Sequence, residues 1–562
     1  MSAGRLALAG ALGACALAAG VVAAPGAARA LDFKLGDTPV YLDLTESLIL
    51  DWNSFLDDPQ IVADADKENI VDLRNRLNVR LRADWLTFGM RLDVAWFPNP
   101  PANPGQASQY RDDVRPEELF LTARLGDLTL TLGDDYLSFG RGLALSLRKF
   151  DELGFATSLR GVHAQWRGDW LKARVSAGLT NVVNVDTVEQ KLVPDPNDLI
   201  VAARVEATPF EGLGVGVHAV DVERRHSDAR DAIAGTLTGD DDTGPINSTR
   251  FLRSTVVGGN VELPSLAGGK LSIYAETDWL FGSEERVTAS GNKAQDTDGF
   301  ALYGQVQAFL EPLTILAEFK HYVRFELEST LHPDTASVQG ITQQFSYIVP
   351  PTLERIDQRI AQNSDVTGGH LRVDYAVPGT GDSFFLSGAF FVDAPAANDT
   401  TLHVYGGFEH TGERGNRLLM QAGYRREEAP DDDLIRLRMI HFDLDVFQVL
   451  NEWADLQLHW SHEFRDTNIG APSLQDTYIE GTSYVSLNLP PRWSLTAQVE
   501  YRTDVTTDDP LFLGGFVQYF FTPASFVRVF AGRSKGGLKC SGGVCRIFPN
   551  FEGVRLETTL RF

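Results

Sequence analysis

The chain has 562 residues, with 76 acidic against 50 basic side chains and a formal net charge of −26. That balance argues against nucleic-acid binding, which needs a basic surface to displace counterions. Past the N-terminus no stretch reaches the roughly 18 uninterrupted apolar residues of a membrane-spanning helix, which argues against a helical membrane protein.

Residues 1–30 read as a secretory signal peptide. Arg5 supplies the positive end, Leu6 to Ala24 is almost wholly small or apolar, and Ala28-Arg29-Ala30 is an A-x-A cleavage site. The mature chain is expected to run from Leu31 to Phe562 as one domain, since no repeat, linker or composition break divides it. Cys15 leaves with the signal. Cys540 and Cys545 remain, and in an oxidising compartment a small disulfide loop is expected of them. A metal site there would want more ligands nearby, so no resident cofactor is expected.

The mature sequence alternates. Val40, Leu42, Leu44, Leu48, Leu50 and Trp52 share one face of an extended run, with Asp43, Thr45, Ser47, Asp51 and Asn53 on the other. Next, Leu73, Leu77, Val79, Leu81 and Ala83 stand against Asp72, Arg74, Arg76, Asn78, Arg80 and Arg82. Phe88, Met90, Leu92, Val94 and Trp96 then stand against Thr87, Gly89, Arg91 and Asp93. The last two runs predict a hairpin turning at Asp84-Trp85. Placing Ala83 opposite Leu86 sets Leu81 on Phe88, Leu77 on Leu92, Arg76 on Asp93 and Arg80 on Gly89. Apolar then meets apolar, as a correct register requires.

The pattern continues to the end. Short turns are expected near Gly126-Asp127, Gly168-Asp169, Pro209–Gly212, Pro264–Lys270, Glu311-Pro312, Pro378–Asp382, Gly412–Asn416, Asn451–Ala454, Pro490–Arg492 and Thr522–Ser525. Longer polar connections lie between them, including Asn53–Asn69, Asn99–Arg115, Asn181–Asn197, Glu223–Arg250, Gly282–Thr297 and Tyr322–Thr367. Short and long alternate. The expected fold is all-β, a single antiparallel transmembrane β-barrel of about 24 strands (range about 22–26), with short periplasmic turns and long extracellular loops. A soluble sandwich does not sort its loops into two length classes by parity. Trp85, Trp166, Trp170, Trp453 and Trp493 sit beside short turns, and Trp52, Trp96 and Trp279 at the opposite strand ends, as two interfacial belts would. Only Trp460 falls mid-strand, where core tryptophans would lie. The first strand begins about ten residues after the cleavage site, so no N-terminal plug of the kind TonB-dependent transporters carry is expected.

Gly133-Asp134-Asp135-Tyr136-Leu137-Ser138-Phe139-Gly140-Arg141-Gly142-Leu143-Ala144-Leu145-Ser146-Leu147-Arg148-Lys149, with Asp151–Gly154 and Ser158–Gly161 behind it, is less generic. It resembles a segment of outer-membrane barrel families, notably a domain-of-unknown-function family, DUF6029. The Phe139-Gly140-Arg141-Gly142 step is also similar to segments of alginate-export-type porins. The resemblance covers about a tenth of the chain. It implies a barrel and transfers neither substrate nor catalytic residue. Gly140 and Gly142 permit a kink or a close backbone approach. Arg148, Lys149 and Arg160 complement Asp134, Asp135, Asp151 and Glu152. Two readings stand here: a loop folded inward as a constriction, or a bulged strand top with solvated ion pairs.

Other candidate sites follow from charge and period. Arg74, Arg76, Arg80 and Arg82 form a ladder on a lumen-facing strand, joined on the same wall by Arg91, Lys172 and Arg174. One reading is a basic wall that attracts anionic solutes or polysaccharide. The other is mutual neutralisation with Asp93, Glu206, Glu276, Asp278, Glu318, Asp374, Asp443, Asp445 and Glu500. In the longest loop Thr352 is an N-cap after Pro350-Pro351. Leu353, Ile356 and Ile360 then share one helical face, suited to a lid over the pore or to surface decoration. Acidic groups in outer loops (Asp221, Asp228, Asp240–Asp242; Glu427, Glu428, Asp431–Asp433) are candidate divalent-cation sites, without EF-hand spacing. His459 and Ser461 share a polar face while His462 points away. The pair lacks a third member, and no catalysis is expected.

The final strand places Val554, Leu556, Thr558, Leu560 and Phe562 on one face and Arg555, Glu557, Thr559 and Arg561 on the other. Ending on Phe562, it resembles the closing strand of bacterial outer-membrane barrels, which implies recognition by the barrel-assembly machinery. The expected location is the outer membrane of a Gram-negative bacterium, with lipid and lipopolysaccharide as partners. The expected function is passage of a hydrophilic solute or polymer through a porin-like channel. The alternative is a non-conducting structural or assembly barrel that binds periplasmic or surface proteins.

Overall fold

Strand pairing closes this chain into a ring. The computed structural model describes residues 31–55, 70–99, 111–150, 153–186, 191–193, 195–224, 249–288, 291–327, 332–333, 342–343, 346–351, 364–393, 399–430, 434–469, 474–505, 509–541, 544–548 and 550–562. Twenty-four strands form the wall, every neighbouring pair antiparallel. They are β1 (Thr38–Phe55), β2 (Ile70–Ala83), β3 (Leu86–Asn99), β4 (Asp113–Leu125), β5 (Leu128–Asp135), β6 (Phe155–Arg167), β7 (Leu171–Val182) and β8 (Leu199–Phe210). Next come β9 (Leu213–Glu223), β10 (Thr249–Leu266), β11 (Leu271–Thr288), β12 (Gly291–Leu310), β13 (Leu313–Val323), β14 (Val366–Ala376), β15 (Asp382–Asp393) and β16 (Asp399–Thr411). The ring ends with β17 (Arg417–Ala429), β18 (Leu434–Asn451), β19 (Ala454–Ile469), β20 (Asp476–Leu489), β21 (Trp493–Arg502), β22 (Leu511–Thr522), β23 (Ser525–Ser534) and β24 (Phe551–Arg561). β24 pairs back onto β1, with Leu556 on Leu50 and Arg555 on Asp51. Closure leaves the ring no unpaired edge, as lipid requires.

The first hairpin has the register its pattern demands. Ala83 pairs with Leu86, Leu81 with Phe88, Leu77 with Leu92, Arg76 with Asp93 and Arg80 with Gly89. The turn at Asp84-Trp85 and the other expected short turns all join hairpin partners. One expected loop is corrected. Gly282–Thr297 is not a loop: β11 runs on to Thr288 and β12 begins at Gly291, paired throughout. Beyond the bilayer both faces of a hairpin are wet, so its sequence loses the alternation that marks a strand.

Alternation sorts the side chains between two solvents. On β9, Val217 is 57% exposed while Gly216 and His218 on either side are buried. Val217 faces out, where lipid is the solvent. An arginine there is expected to lower folding stability in phospholipid vesicles by about 2–4 kcal/mol, the cost of a lipid-facing charge near the midplane. Equilibrium unfolding of Val217→Arg in vesicles measures it. Trp85, Trp166, Trp170, Trp453 and Trp493 are exposed beside the short turns, and Trp52 and Trp279 at the far strand ends. Trp460, the mid-strand tryptophan, is 38% exposed on the outer face, its ring 5.1 Å from Phe442. In a barrel, mid-strand is mid-bilayer, and a large apolar ring suits that surface.

The apolar core lies inside the ring. Leu137, Phe139, Leu143, Leu145 and Leu147, between β5 and β6, are buried with Phe325, Tyr347 and Ile348, between β13 and β14. They pack on inward residues of β8 to β15, among them Ile200, Val220, Val222, Val256, Leu280 and Phe391. β5 is only 8 residues long. The chain therefore leaves the wall part-way up, inside the lumen.

Candidate functional site

The inward segment is itself a small hairpin. Leu137–Phe139 pairs with Leu145–Leu147, in the register Leu137 on Leu147 and Phe139 on Leu145. Gly140 and Gly142 make its turn with φ of +56° and +93°, the left-handed region that glycine occupies without strain. The segment between β13 and β14 lies alongside. The Ser146 amide donates to the Tyr347 carbonyl (2.7 Å) and the Val349 amide to the Gly142 carbonyl (2.9 Å). The segment packs inside the ring: Phe139 is buried, while Arg141 is exposed.

Glu276 of β11 holds the tip. Its Oε2 accepts from the Arg141 amide (2.8 Å) and the Tyr274 hydroxyl (2.6 Å). A Cβ on Gly140 would fall 1.7 Å from its Oε1, so only glycine fits this approach. The Arg141 guanidinium lies 4.7 Å from the Tyr274 ring centre. Phe139 packs on His218, ring centres 6.2 Å apart. The Tyr347 hydroxyl donates to Asp198 (2.9 Å) and lies 3.3 Å from Thr180 Oγ1. Burial pushes that hydroxyl well above its ordinary range, so it stays protonated and stays a donor. Tyr347→Phe is expected to weaken seating of this segment by about 1.5–3 kcal/mol, a hydrogen bond to a charged group. Faster amide exchange at Tyr347 and Val349 is the readout.

Beneath the hairpin Asp134 gathers the wall. It is buried, and it accepts from Arg160 Nε (3.0 Å), Ser158 Oγ (2.9 Å), Asn181 Nδ2 (2.9 Å) and the Leu119 amide (2.8 Å). Arg148 donates to Ser138 (3.2 Å), and Asp151 and Glu152 lie outside the described residues.

The ladder divides into two groups. Arg74 is buried in ion pairs with Asp51 and Asp72, Arg76 and Arg91 both pair with Asp93 (3.4 and 2.5 Å), and Arg174 pairs with Asp135 (2.7 Å). Arg80, Arg82 and Lys172 are exposed to the lumen. Most of the lumen acids have a basic partner: Glu206 with Arg204 (2.8 Å), Asp374 with Arg372 (2.8 Å), Asp443 with His441 (3.1 Å), Asp445 with His459 (2.7 Å). Pairing of this kind neutralises charge that a half-dry interior cannot hold alone.

Two clusters imitate functional sites. Among the described residues, ligand-bearing atoms of His218, Glu276 and Asp278 approach within 4.8 Å. Arg204 donates to His218 Nδ1 (2.8 Å), which leaves Nε2 as the protonated nitrogen, donating to Asp278 (2.5 Å). Both ring nitrogens are thus engaged, and Glu276 is engaged with the hairpin. Glu318, His370 and Ser387 form the second line: Ser387 Oγ lies 2.7 Å from His370 Nε2 and Glu318 Oε2 2.9 Å from His370 Nδ1, while Tyr303 donates to Glu318 Oε1 (2.6 Å). The spacing suits a nucleophile, base and orienter. Ser387 is fully buried, and its strand is paired on both sides, so its backbone supplies no oxyanion donor. The line braces four adjacent strands. Sequence reading missed it because its members come from strands joined only by the register.

The other sequence candidates are placed as follows. Leu353, Ile356 and Ile360 lie outside the described residues, as do Asp228, Asp240–Asp242 and Asp431–Asp433. Asp221 pairs with Arg253 (2.8 Å), Glu427 with Arg425 (2.7 Å) and Glu428 with Arg426. Cys540 and Cys545 are register partners in the hairpin of Gly537–Ser541 with Val544–Phe548. Phe562 closes the seam, its amide donating to the Leu44 carbonyl (2.8 Å).

The family described as "Family of unknown function (DUF6029)" matches residues 475–562, the strands β20 to β24, and not the 133–161 segment that carries the resemblance in sequence. No curated protein matches the chain. Among solved structures, the siderophore receptor PirA from Pseudomonas aeruginosa aligns over 93% of this chain and 80% of its own, at 9% identity and a TM-score of 0.45. A BenF-like porin from Pseudomonas fluorescens Pf-5 aligns over 70% and 94%, at 11% identity and a TM-score of 0.36. Wzi, described as a carbohydrate-binding β-barrel involved in group 1 capsule assembly in Escherichia coli, aligns over 69% and 80%, at 11% identity and a TM-score of 0.32. A closed sheet with an apolar outer face has one solvent that suits it, a lipid bilayer, and the chain is accordingly a transmembrane β-barrel.

Proposed function

We propose that this barrel is a transport channel for a hydrophilic solute or polymer, narrowed by its inward hairpin, and not an enzyme. The observation that carries the reading is the division of the lumen. The hairpin and its neighbours fill the side of β8 to β15 with apolar side chains. The opposite side keeps charged groups in water, including Arg80, Arg82 and Asp445, the last with its side chain 43% exposed. A lumen sealed for structure alone has no use for exposed charge along one wall, whereas a polar solute needs such a wall.

The runner-up is a non-conducting barrel that binds periplasmic or surface proteins, and the apolar filling of one side favours it. Single-channel conductance in a planar bilayer separates the two. The mature protein is compared with a variant in which residues 136–154 are replaced by a short glycine-serine link. Ion-selective steps that enlarge in the variant support the channel. Silence from both, with heat-modifiable gel mobility showing folded barrels, overturns it and directs the search to cross-linked partners.

A further inference from the structure

A cavity of about 260 Å3 opens where the inward segment meets the wall of β1 to β4 and β24. Its lining carries four cations, Arg80, Arg91, Lys149 and Arg561, against two anions, Asp43 and Glu118. In a chain of net charge −26 this is a local reversal of sign. Arg80 lies four residues before Asp84 of the Asp84-Trp85 turn and Arg561 one residue before Phe562, so the cavity belongs to the periplasmic half of the lumen.

The cations are not equivalent. Arg561 is engaged with Asp43 (2.9 Å) and Arg91 with Asp93 (2.5 Å). Arg80 is exposed; Asp43, its register partner on β1, is engaged by Arg561, and among the described residues Arg80 itself forms no ion pair. Its guanidinium lies 5.9 Å from the Phe120 ring centre. That ring crosses over Gly89, the register partner of Arg80, where a Cβ would come within 2.2 Å of it. The missing side chain at Gly89 thus lets Phe120 make an apolar floor beside a cation. A guanidinium held beside an aromatic face keeps its fork of donors for a ligand and loses little freedom when one binds. Low-dielectric walls strengthen its attraction for an anion.

We infer that this cavity is a binding site for a solute bearing a carboxylate or phosphate group, with Arg80 as its principal contact. The inference deepens the channel reading by naming the class of solute that reading leaves open. Lys149 comes from the inward segment, so the site is complete only while that segment is seated.

Isothermal titration of the full mature barrel in detergent at low salt tests this. Glucuronate and inorganic phosphate serve as the two anionic probes and glucose as the neutral one. At least one anion is expected to saturate a single site, and the tighter of the two names the group preferred. Glucose is expected not to bind. Arg80→Gln is expected to weaken the anion about tenfold, the loss of one charge-assisted hydrogen bond. Arg414→Gln, in an exposed turn outside the cavity, should leave it unchanged. Heat-modifiable mobility confirms that each variant is folded. Glucose binding as tightly as the anions, no saturable anion binding, or an Arg80→Gln barrel that binds like the parent overturns the inference. Conductance without saturable anion binding leaves the channel and removes the site. Binding without conductance leaves the site and removes the channel.

Discussion

Replacing Gly140 with valine is expected to unlatch the inward hairpin and raise single-channel conductance. Two effects act together. At φ of +56° a β-branched residue carries left-handed strain of about 1–2 kcal/mol. Its Cβ also falls on the Glu276 carboxylate, 1.7 Å from Oε1, which must swing away. Glu276 then releases the Arg141 amide, a charge-assisted hydrogen bond worth roughly 1.5–3 kcal/mol. Glu276→Ala should act in the same direction by removing the acceptor. Arg141→Lys should leave the latch closed, because the latch uses the backbone of residue 141. Conductance is read beside limited proteolysis of the hairpin. A Gly140→Val barrel that conducts as the parent does, with its hairpin still protected, would show that Glu276 is no latch.

Asp51→Asn is expected to cost the barrel about 3–5 kcal/mol, the range for breaking a buried ion pair from one side. Asp51 is fully buried at the seam, between Arg74 of β2 and Arg555 of β24. Arg555 Nε donates to it at 2.6 Å, and Arg74 reaches both it and Asp72. One carboxylate of β1 thus neutralises guanidinium groups from the strands on both sides of it, β2 and β24. Asparagine keeps the shape and removes the charge, leaving the buried Arg74 and the half-buried Arg555 with Asp72 as a neighbouring carboxylate. Urea unfolding in vesicles and the temperature of the gel-mobility shift measure the loss. Glu409→Gln breaks an exposed pair with Arg417 and should cost below about 1 kcal/mol. Equal losses in the two variants would mean that the seam cluster is ordinary surface charge.

The hairpin in the lumen left a trace in the sequence that alternation alone does not interpret. A strand between lipid and water reads apolar-polar. In several strands that rule breaks: Ile200-Val201, Val256-Val257, Leu280-Phe281 and Phe390-Phe391 are apolar on both faces. Val201, Val257, Phe281 and Phe390 face out, and their partners face the hairpin. Doubled apolar positions along a strand mark where a barrel is filled. The basic ladder shows the opposite case. Its residues were legible, and its chemistry was not, because Arg74 and Arg80 look alike in a sequence and differ in whether the nearby carboxylates bind them. Asp51 and Asp72 hold the first. The second lies between Gly89 with Phe120 on one side and Asp43 on the other, and Arg561 engages that aspartate.

The sequence by itself determined the barrel, its strand number and the register of the first hairpin, since a period of two between two solvents is a local property that each strand carries alone. Only the tertiary structure decided which loop enters the lumen, which charges neutralise one another and which stay open to a solute. Those outcomes rest on contacts such as the Arg141 amide with Glu276 and Tyr347 with Asp198, 135 and 149 positions apart. Closure of the ring brings such pairs together, and no local pattern encodes a partner that far along the chain.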